Sequence, residues 1–253
     1  MFKLPNIPNY LAGNKVPIGW SPSLIEHGFL DALSDRPKKV VAQKLVAGGI
    51  TYCPAFASYY KNVFAIKMPF KVIFNKLGGR LSTDMSPNIA QGNKHSIFSI
   101  EEDPQGVAIQ ILLSNLFISD KPYTMIETMP PILHGCREEI TYMNGRFDCH
   151  AWQRPLHFGF RISKEVLDKL SEDDSIVFEK GEVVMYVRFT TPDDRSVTMH
   201  QISPTDLDVV RKYTARNVNL NAYVSLMNYR EIFNRVRYRR PKKFLRDLNY
   251  GNN

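Results

Sequence analysis

The sequence has little of what marks an active site. It contains three cysteines and six histidines among 253 residues. The odd number and wide spacing of Cys53, Cys136 and Cys149 favour reduced thiols in a cytosolic setting over a disulfide framework. There is no Gly-x-Ser-x-Gly nucleophile elbow and no phosphate-binding P-loop. We therefore predict that the chain has no catalytic residue and binds no cofactor.

Close pairs of metal ligands are also lacking, since no Cys-x₂-Cys or His-x-His motif occurs. Cys149 and His150 are neighbours in a predicted strand, so their side chains would point to opposite faces and could not share one ion. The prediction is no metal site. One alternative stays open: a metal-dependent β-barrel enzyme acting on nucleotides or nucleic acid, with His150, His157 and His200 as ligands on neighbouring predicted strands.

Four acidic residues cluster around one predicted strand, namely Asp173, Asp174, Glu179 and Glu182. A metal-dependent nuclease could use such carboxylates. A solvated loop at residues 171–175 explains the first pair more simply, and this is the interpretation we favour.

No stretch is long and apolar enough to span a bilayer. The longest uncharged apolar run, Val107 to Ile118, is interrupted by polar residues and falls short of the about 20 residues that a membrane helix needs. The N-terminal residues show no charged start followed by an apolar block, so no secretory signal is expected. These features predict a protein that has no membrane partner.

The chain is rich in strand-forming residues, with fifteen Phe and twelve Tyr. Short apolar runs separated by turn residues continue from Val40 to about residue 202, a pattern typical of an antiparallel sandwich or jelly-roll-like domain. Residues 40–202 are predicted to form this domain. The predicted strands lie at 63–66, 70–74, 97–100, 107–113, 123–128, 158–162, 176–178, 183–190 and 197–200.

One hairpin is predicted from turn chemistry. Asn144-Gly145 lies between residues 140–143 and 146–149, and this dipeptide readily supplies the two positive φ angles of a type I′ turn. The resulting register pairs Tyr142 with Phe147 and places both on the apolar face. We therefore expect residues 140–149 to pair with each other.

The two ends of the chain differ from the middle. Residues 1–39 contain five prolines and are predicted to form an extended arm. Residues 203–253 change to a helical period and are predicted to form a two-helix appendage, beginning with Ser203 as N-cap and Pro204 in the first turn. The second helix carries an apolar stripe that should pack on the β domain: Ala222, Leu226, Tyr229, Phe233 and Val236.

Positive charge is concentrated in this C-terminal appendage. From Arg211 onward there are eleven Lys and Arg residues against Glu231 and Asp247, whereas the whole chain carries +8, so the remainder sums to about −1. Such asymmetry indicates a partner that carries negative charge. The candidate partner-binding residues are Arg230, Arg235, Arg237, Tyr238, Arg239, Arg240, Lys242, Lys243, Phe244 and Arg246.

Three local blocks resemble a known family: residues 52–70, with Tyr52-Cys53-Pro54-Ala55-Phe56 at their start, residues 152–156 and residues 178–182. They are similar to an uncharacterised family of T4-like marine tailed phages that has relatives in bacteria. The resemblance covers roughly residues 50–190. It implies a viral origin, a β-rich fold and localisation in the host cytoplasm during infection or in the virion, and it implies no catalytic residue.

Together these patterns predict a non-catalytic phage structural or virion-associated assembly protein. Its arm and basic C-terminal helices would contact other virion subunits or further copies of the same chain. Nucleic acid is the alternative partner, because arginines interleaved with Tyr238 and Phe244 suit phosphate contact and base stacking as well as protein docking.

Overall fold

A computed structural model describes residues 15–21, 37–40, 54–78, 80–85, 98–119, 121–150 and 155–202. These residues form a mainly β structure of several largely antiparallel sheets, which confirms the predicted fold class. Most of the predicted N-terminal arm and the whole predicted C-terminal appendage lie outside the described residues. Within the described part, no helix is long and apolar enough to cross a membrane.

The largest sheet has six strands. They are β1 (Val16–Ser21), β6 (Phe98–Asp103), β7 (Gly106–Ser119), β9 (Thr141–Met143), β11 (Pro155–Ser163) and β14 (Val197–Gln201). The order is β14-β1-β7-β11-β9, and β6 pairs with the first half of β7 on the side where β1 pairs with its second half. The long strand β7 is therefore central to this sheet, because β1, β6 and β11 all pair with it.

Two smaller sheets complete the fold. Their strands are β2 (Lys38–Lys39), β3 (Val63–Lys67), β4 (Val72–Leu77), β5 (Arg80–Met85), β8 (Met125–Met129), β10 (Arg146–Asp148), β12 (Ser175–Phe178) and β13 (Val183–Thr190). The five-stranded sheet has the order β10-β8-β13-β3-β2, and the three-stranded sheet has the order β12-β4-β5. Short helices occur at α1 (Pro54–Tyr59) and α2 (Lys164–Lys169), with a 3₁₀ turn at Ile132–His134.

Strand β1 lies inside the segment that the sequence assigns to the arm. It is paired on both sides, parallel to β14 and antiparallel to β7. Pro17 cannot donate a ladder hydrogen bond, yet it is tolerated because the pairing with β7 begins only at Ile18. Residues 16–21 therefore belong to the β body, and the expectation of an arm without regular structure is wrong for this stretch.

The predicted hairpin at residues 140–149 is also wrong. β9 pairs with β11 in the six-stranded sheet, whereas β10 pairs with β8 in the five-stranded sheet. Neither Asn144 nor Gly145 has a positive φ, so the segment does not form a type I′ turn. Instead the N–H of Thr128 on β8 donates a hydrogen bond to the Gly145 carbonyl at 2.9 Å, and the Gly145 N–H donates one to the Thr128 hydroxyl at 2.7 Å. The chain crosses between two sheets here.

One main hydrophobic core is shared by all three sheets. Its centre is a set of phenylalanine rings that meet edge to face or tilted, with centroids 5.0–6.2 Å apart: Phe74, Phe98, Phe158, Phe160 and Phe178. Tyr142 and Phe147 pack against this core as the sequence predicts, even though their strands do not pair with each other. The alternation of apolar residues therefore predicts the buried face of both strands correctly, although the predicted pairing of the two strands is wrong.

Candidate functional site

The ten residues predicted to bind a partner, 230, 235, 237–240, 242–244 and 246, all lie outside the described residues. The predictions that can be followed in the structure are the metal-site alternative, the acidic cluster and the cysteines. Further candidate groups come from the structure itself, around helix α1.

The three histidines of the metal-site alternative are not brought together. His157 on β11 pairs with Leu112 of β7. His200 on β14 pairs with Gly19 of β1, and Gly19 in turn pairs with Ile118 of β7. Six residues along β7 correspond to roughly 20 Å, and two other strands separate β11 from β14. The expectation that these strands are neighbours is therefore wrong. Among the described residues, no three His, Cys, Asp or Glu side chains form a group able to hold a metal ion.

The acidic cluster has structural contacts. Asp174 accepts hydrogen bonds from the backbone N–H and the hydroxyl of Ser171, at 2.8 and 2.9 Å, and these bonds lower the pKa of its carboxyl. Glu179 forms an ion pair with Lys71 at 2.7 Å. These contacts agree with a solvated loop for the first pair of acids.

Glu182 belongs to a separate clamp. It binds the Arg137 guanidinium through both carboxylate oxygens at 2.9 Å, and that guanidinium also lies over the Phe178 ring, 4.5 Å from its centroid. Arg137 donates a further hydrogen bond to the Val177 carbonyl of β12. The clamp fixes the loop before β9 to the edge of the three-stranded sheet. The Glu182 carboxylate therefore has a structural role as the partner of Arg137.

The described cysteines are not activated nucleophiles. Cys149 is completely buried in the main core, and this burial raises the pKa of its thiol well above the usual value. Cys136 is exposed at its surface position, and partial desolvation raises the pKa of that thiol as well. A reactive cysteine needs a lowered pKa, so both thiols stay protonated at neutral pH.

A second apolar cluster lies on the opposite face of the five-stranded sheet from the main core. Helix α1 and the 3₁₀ turn cover it, with Phe56 and Leu133 packed against its edge. Its buried members are Val40, Tyr60, Val63, Ala65, Met129 and Tyr186. Apart from the aromatic residues near Pro54, no sequence pattern indicates this cluster, because a six-residue helix is too short to show a helical period.

His134 and Tyr186 form a polar pair in this second cluster. The Tyr186 hydroxyl accepts a hydrogen bond from the Leu133 N–H at 3.1 Å and lies 2.6 Å from His134 Nδ1. Desolvation, followed by the nearby Lys67 charge, lowers the pKa of His134. The lowered pKa favours the neutral imidazole at pH 7, in which one ring nitrogen donates and the other accepts. This arrangement anchors the 3₁₀ turn to β13.

A groove of about 470 Å³ runs beside α1, between that helix and the end of β13. On one side the Arg188 guanidinium lies over the Tyr59 ring, 4.5 Å from its centroid. Arg188 is held there by an ion pair with Glu127 on the neighbouring strand β8. The groove thus contains a cation–π contact between this guanidinium and the ring of Tyr59, a side chain that is 43% exposed.

The other side of the groove is built by Lys61 and Asn62. Lys61 pairs with Asp194 at 3.2 Å. Asn62 is buried and bridges two strand ends: its amide donates to the Arg195 carbonyl at 2.8 Å and its side-chain oxygen accepts from the Val197 N–H at 3.0 Å. This side chain holds the turn that contains Asp194 in its left-handed conformation, with φ of 48°.

Chemically, the groove can hold a polar or planar ligand by stacking and hydrogen bonding. Its cations are paired within the protein, Arg188 with Glu127 and Lys61 with Asp194, so it does not present free positive charge. The residues that form it are far apart in sequence, which is why sequence reasoning missed it. The sequence signal was limited to the aromatic block at residues 52–62.

Two of the blocks that carry the phage-family resemblance contact each other. The Met68 N–H donates to the Glu182 carbonyl and the Gly181 N–H donates to the Met68 carbonyl, both at 2.8 Å. Gly181 adopts a φ of 85°, which a residue without a side chain accommodates at no steric cost. These blocks therefore have structural roles at a junction between strands. Comparison of the chain with protein-family models, with curated proteins and with solved structures found no match.

Proposed function

We propose that this chain is a non-catalytic phage structural or virion-associated assembly protein. Its basic C-terminal helices, together with the part of the N-terminal arm outside strand β1, contact neighbouring subunits, either further copies of itself or other virion proteins. The β body provides a rigid platform, and the extensions provide the contacts.

The observation that carries the proposal is the separation of charge along the chain. Residues from Arg211 onward hold eleven cationic side chains and two acids, while the rest of the chain sums to about −1. Fixed positive charge of this density repels itself unless a partner or the body supplies acids.

Several of the body's acids form ion pairs with the body's own cations. In the described residues eight carboxylates form ion pairs with body lysines or arginines. They belong to Asp103, Glu127, Glu139, Glu165, Glu179, Glu182, Asp193 and Asp194. These eight acids have cationic partners within the body.

The aromatic residues favour a protein partner. Tyr238 and Phe244 stand among the arginines, and Arg and Tyr are enriched where protein interfaces gain most of their binding energy. Single-stranded nucleic acid can also stack on such side chains, so its binding is an outcome that the experiment must separate from subunit contact.

The test removes charge from the appendage in the full-length chain. Arg235, Arg237, Arg239 and Arg240 are changed to Gln, and self-association is followed by sedimentation velocity, with binding to fluorescent single-stranded DNA measured in parallel. We expect this variant to lose self-association or capture of virion subunits while its unfolding temperature stays unchanged, because the substitutions leave every residue of the main core in place.

A matched control changes net charge equally in the body, by replacing the exposed Lys38, Lys39, Lys164 and Lys180 with Gln. This variant should keep its partner. Equal losses in the two variants, or none in either, would count against the proposal. DNA binding that falls steeply with salt, together with no subunit contact, would instead favour a host-directed nucleic-acid binder.

A further inference from the structure

Strand β5 is an edge of the three-stranded sheet. Its six residues, Arg80–Met85, pair with β4 on one side, and no described strand pairs with the other side. An unpaired edge presents backbone N–H and C=O groups that can bind a further strand. Strand β5 therefore offers one side of its backbone to a partner.

The hairpin formed by β4 and β5 determines which backbone groups point outward. Only two residues separate Leu77 from Arg80, and these two residues lie opposite each other. Gly78 has a φ of 57°, as the first position of a type I′ turn requires. The pair that closes such a turn is hydrogen-bonded, and hydrogen-bonded pairs alternate with the other kind along the ladder. Leu81 and Thr83 therefore direct their N–H and C=O groups to the free edge.

The side chains of β5 alternate between two faces. Leu81 and Thr83 are half-buried, and Leu81 packs against the main core. Arg80, Ser82 and Asp84 are exposed on the opposite face. Neither Arg80 nor Asp84 forms an ion pair with another described residue. One face of this edge thus carries a cation and an anion, separated by one serine position.

One antiparallel register between two copies suits both the backbone and the charges. When Ser82 faces Ser82 of a second copy, the outward groups of Leu81 lie opposite those of Thr83 in the other copy, so both hydrogen bonds of that pair form. Arg80 then lies opposite Asp84 of the other copy, in a non-hydrogen-bonded pair, where side chains are closest. Two-fold symmetry repeats this ion pair on the other side of the axis.

Other registers lose this match. A shift by two residues either way, the smallest that keeps the outward groups opposed, no longer places Arg80 opposite Asp84. A shift by four places two arginines or two aspartates face to face, which is unfavourable. The charges of the strand therefore select a single register and a second copy of the same strand.

Strand β6, which also has six residues and one side without a described partner strand, lacks this complementarity. It ends in three consecutive acids, Glu101, Glu102 and Asp103, and such charge protects an edge against pairing with a second copy. Glu102 lines a pocket of about 200 Å³ together with Arg80, but the two form no ion pair. The comparison favours β5 as the edge that pairs.

We propose that β5 pairs with β5 of a second copy across a two-fold axis at Ser82. The pairing joins the three-stranded sheets of the two copies into one continuous sheet, with an ion pair between Arg80 and Asp84 on each side of the axis. This dimer is a contact of the β body. It goes beyond the proposed function and does not depend on the contacts of the C-terminal segment, residues 203–253.

The first measurement is a disulfide across the axis in the full-length chain. The background replaces Cys53 and Cys136 by Ser and keeps Cys149, which is completely buried. Ser82→Cys should form a disulfide-linked dimer under mild oxidation, because the Cα atoms of such an opposed pair lie about 4.5 Å apart. Arg80→Cys is the matched control, since its two copies would lie about 13 Å apart along the strands, out of reach.

A Ser82→Cys chain that stays monomeric, or that links no faster than Arg80→Cys, would overturn the proposal. The same result is expected if another segment of the chain occupies this edge.

The second measurement exchanges the charges and follows dimerisation by sedimentation velocity. Arg80→Asp should raise the dissociation constant of the dimer at least roughly tenfold, because both ion pairs become contacts between like charges. Adding Asp84→Arg should restore dimerisation, since it recreates both pairs with their signs exchanged. Unchanged association of the single variant, or no recovery in a folded double variant, would contradict the register.

The dimer and the proposed contacts of the C-terminal segment are distinguished in one variant. Replacing Arg235, Arg237, Arg239 and Arg240 with Gln should remove only species larger than the dimer and leave the Ser82→Cys link unchanged. Loss of the link in that variant would show that self-association needs the C-terminal segment, against the inference. Persistence of the larger species would instead count against the proposed function alone.

Discussion

The two faces of the five-stranded sheet differ in how they are buried. On one face, Phe64 and Phe189 join the main core and meet at a centroid distance of 5.8 Å. On the other face of the same strands, Tyr60 and Tyr186 join a small cluster beneath α1, and Tyr186 needs a hydrogen-bonded partner there. Phe64 and Phe189 contribute only apolar contact to the main core, whereas the smaller cluster combines apolar contact with a polar anchor at Tyr186.

This difference separates stability from positioning. The main core gathers apolar side chains from all three sheets, so it determines whether the body folds. The cluster under α1 buries less, but it sets the place of α1 and the 3₁₀ turn, and so the shape of the groove. Strand β13 offers a matched pair of residues for testing this, since Phe189 and Tyr186 point to opposite faces.

The largest effect is expected from Phe189→Ala. The side chain is 2% exposed and contacts the rings of Phe64 and Phe117, so its removal leaves a cavity in the main core. The free energy of unfolding should fall by about 3–5 kcal/mol, as measured by urea denaturation. A loss below about 1 kcal/mol would show that the main core does not dominate stability.

A smaller effect is expected from Tyr186→Phe, which keeps the ring and removes the hydroxyl. The Leu133 N–H and His134 Nδ1 then lose their partner, so the free energy of unfolding should fall by about 1–3 kcal/mol. The 3₁₀ turn should exchange its amide hydrogens faster, while the main core stays protected. Unchanged exchange at residues 132–134 would contradict the anchoring role.

The same variant should change the alkaline stability profile. Desolvation raises the pKa of Tyr186 to about 12, against 10.0 for an ordinary tyrosine. Above pH 10 the unfolded chain releases this proton while the folded chain retains it, so stability is complete below pH 10 and falls as the pH rises toward 12. Tyr186→Phe should flatten this part of the profile, and an equally steep fall in the variant would refute the assignment.

Sequence patterns predicted the strands where alternation was clear. The bounds of β13 at residues 183–190 agree with the prediction, and the alternation of Tyr142 and Phe147 placed both against the core. The pattern failed where pairing depends on distant residues. Asn144-Gly145 favours a tight turn locally, but Thr128 on β8 binds Gly145 and draws the two strands into different sheets.

Strand β1 was missed for a related reason. Pro17 and Gly19 both disfavour a strand locally, and β1 forms because β14 and β7 pair with it from distant parts of the chain. The groove beside α1 depends on contacts such as Asn62 with Arg195 and Val197, which short-range patterns do not carry. The candidate residues of the C-terminal segment remain a prediction from charge and periodicity.

The most direct test of the proposed assembly role is quantitative mass spectrometry of purified phage particles from a culture that produces this protein. An assembly component bound through its C-terminal segment should be present in a fixed number of copies per particle. It should disappear from particles when Arg235, Arg237, Arg239 and Arg240 are replaced by Gln, while the soluble protein stays folded. Purified particles that lack the unmodified protein, or that retain the variant in the same copy number as the unmodified protein, would contradict the account.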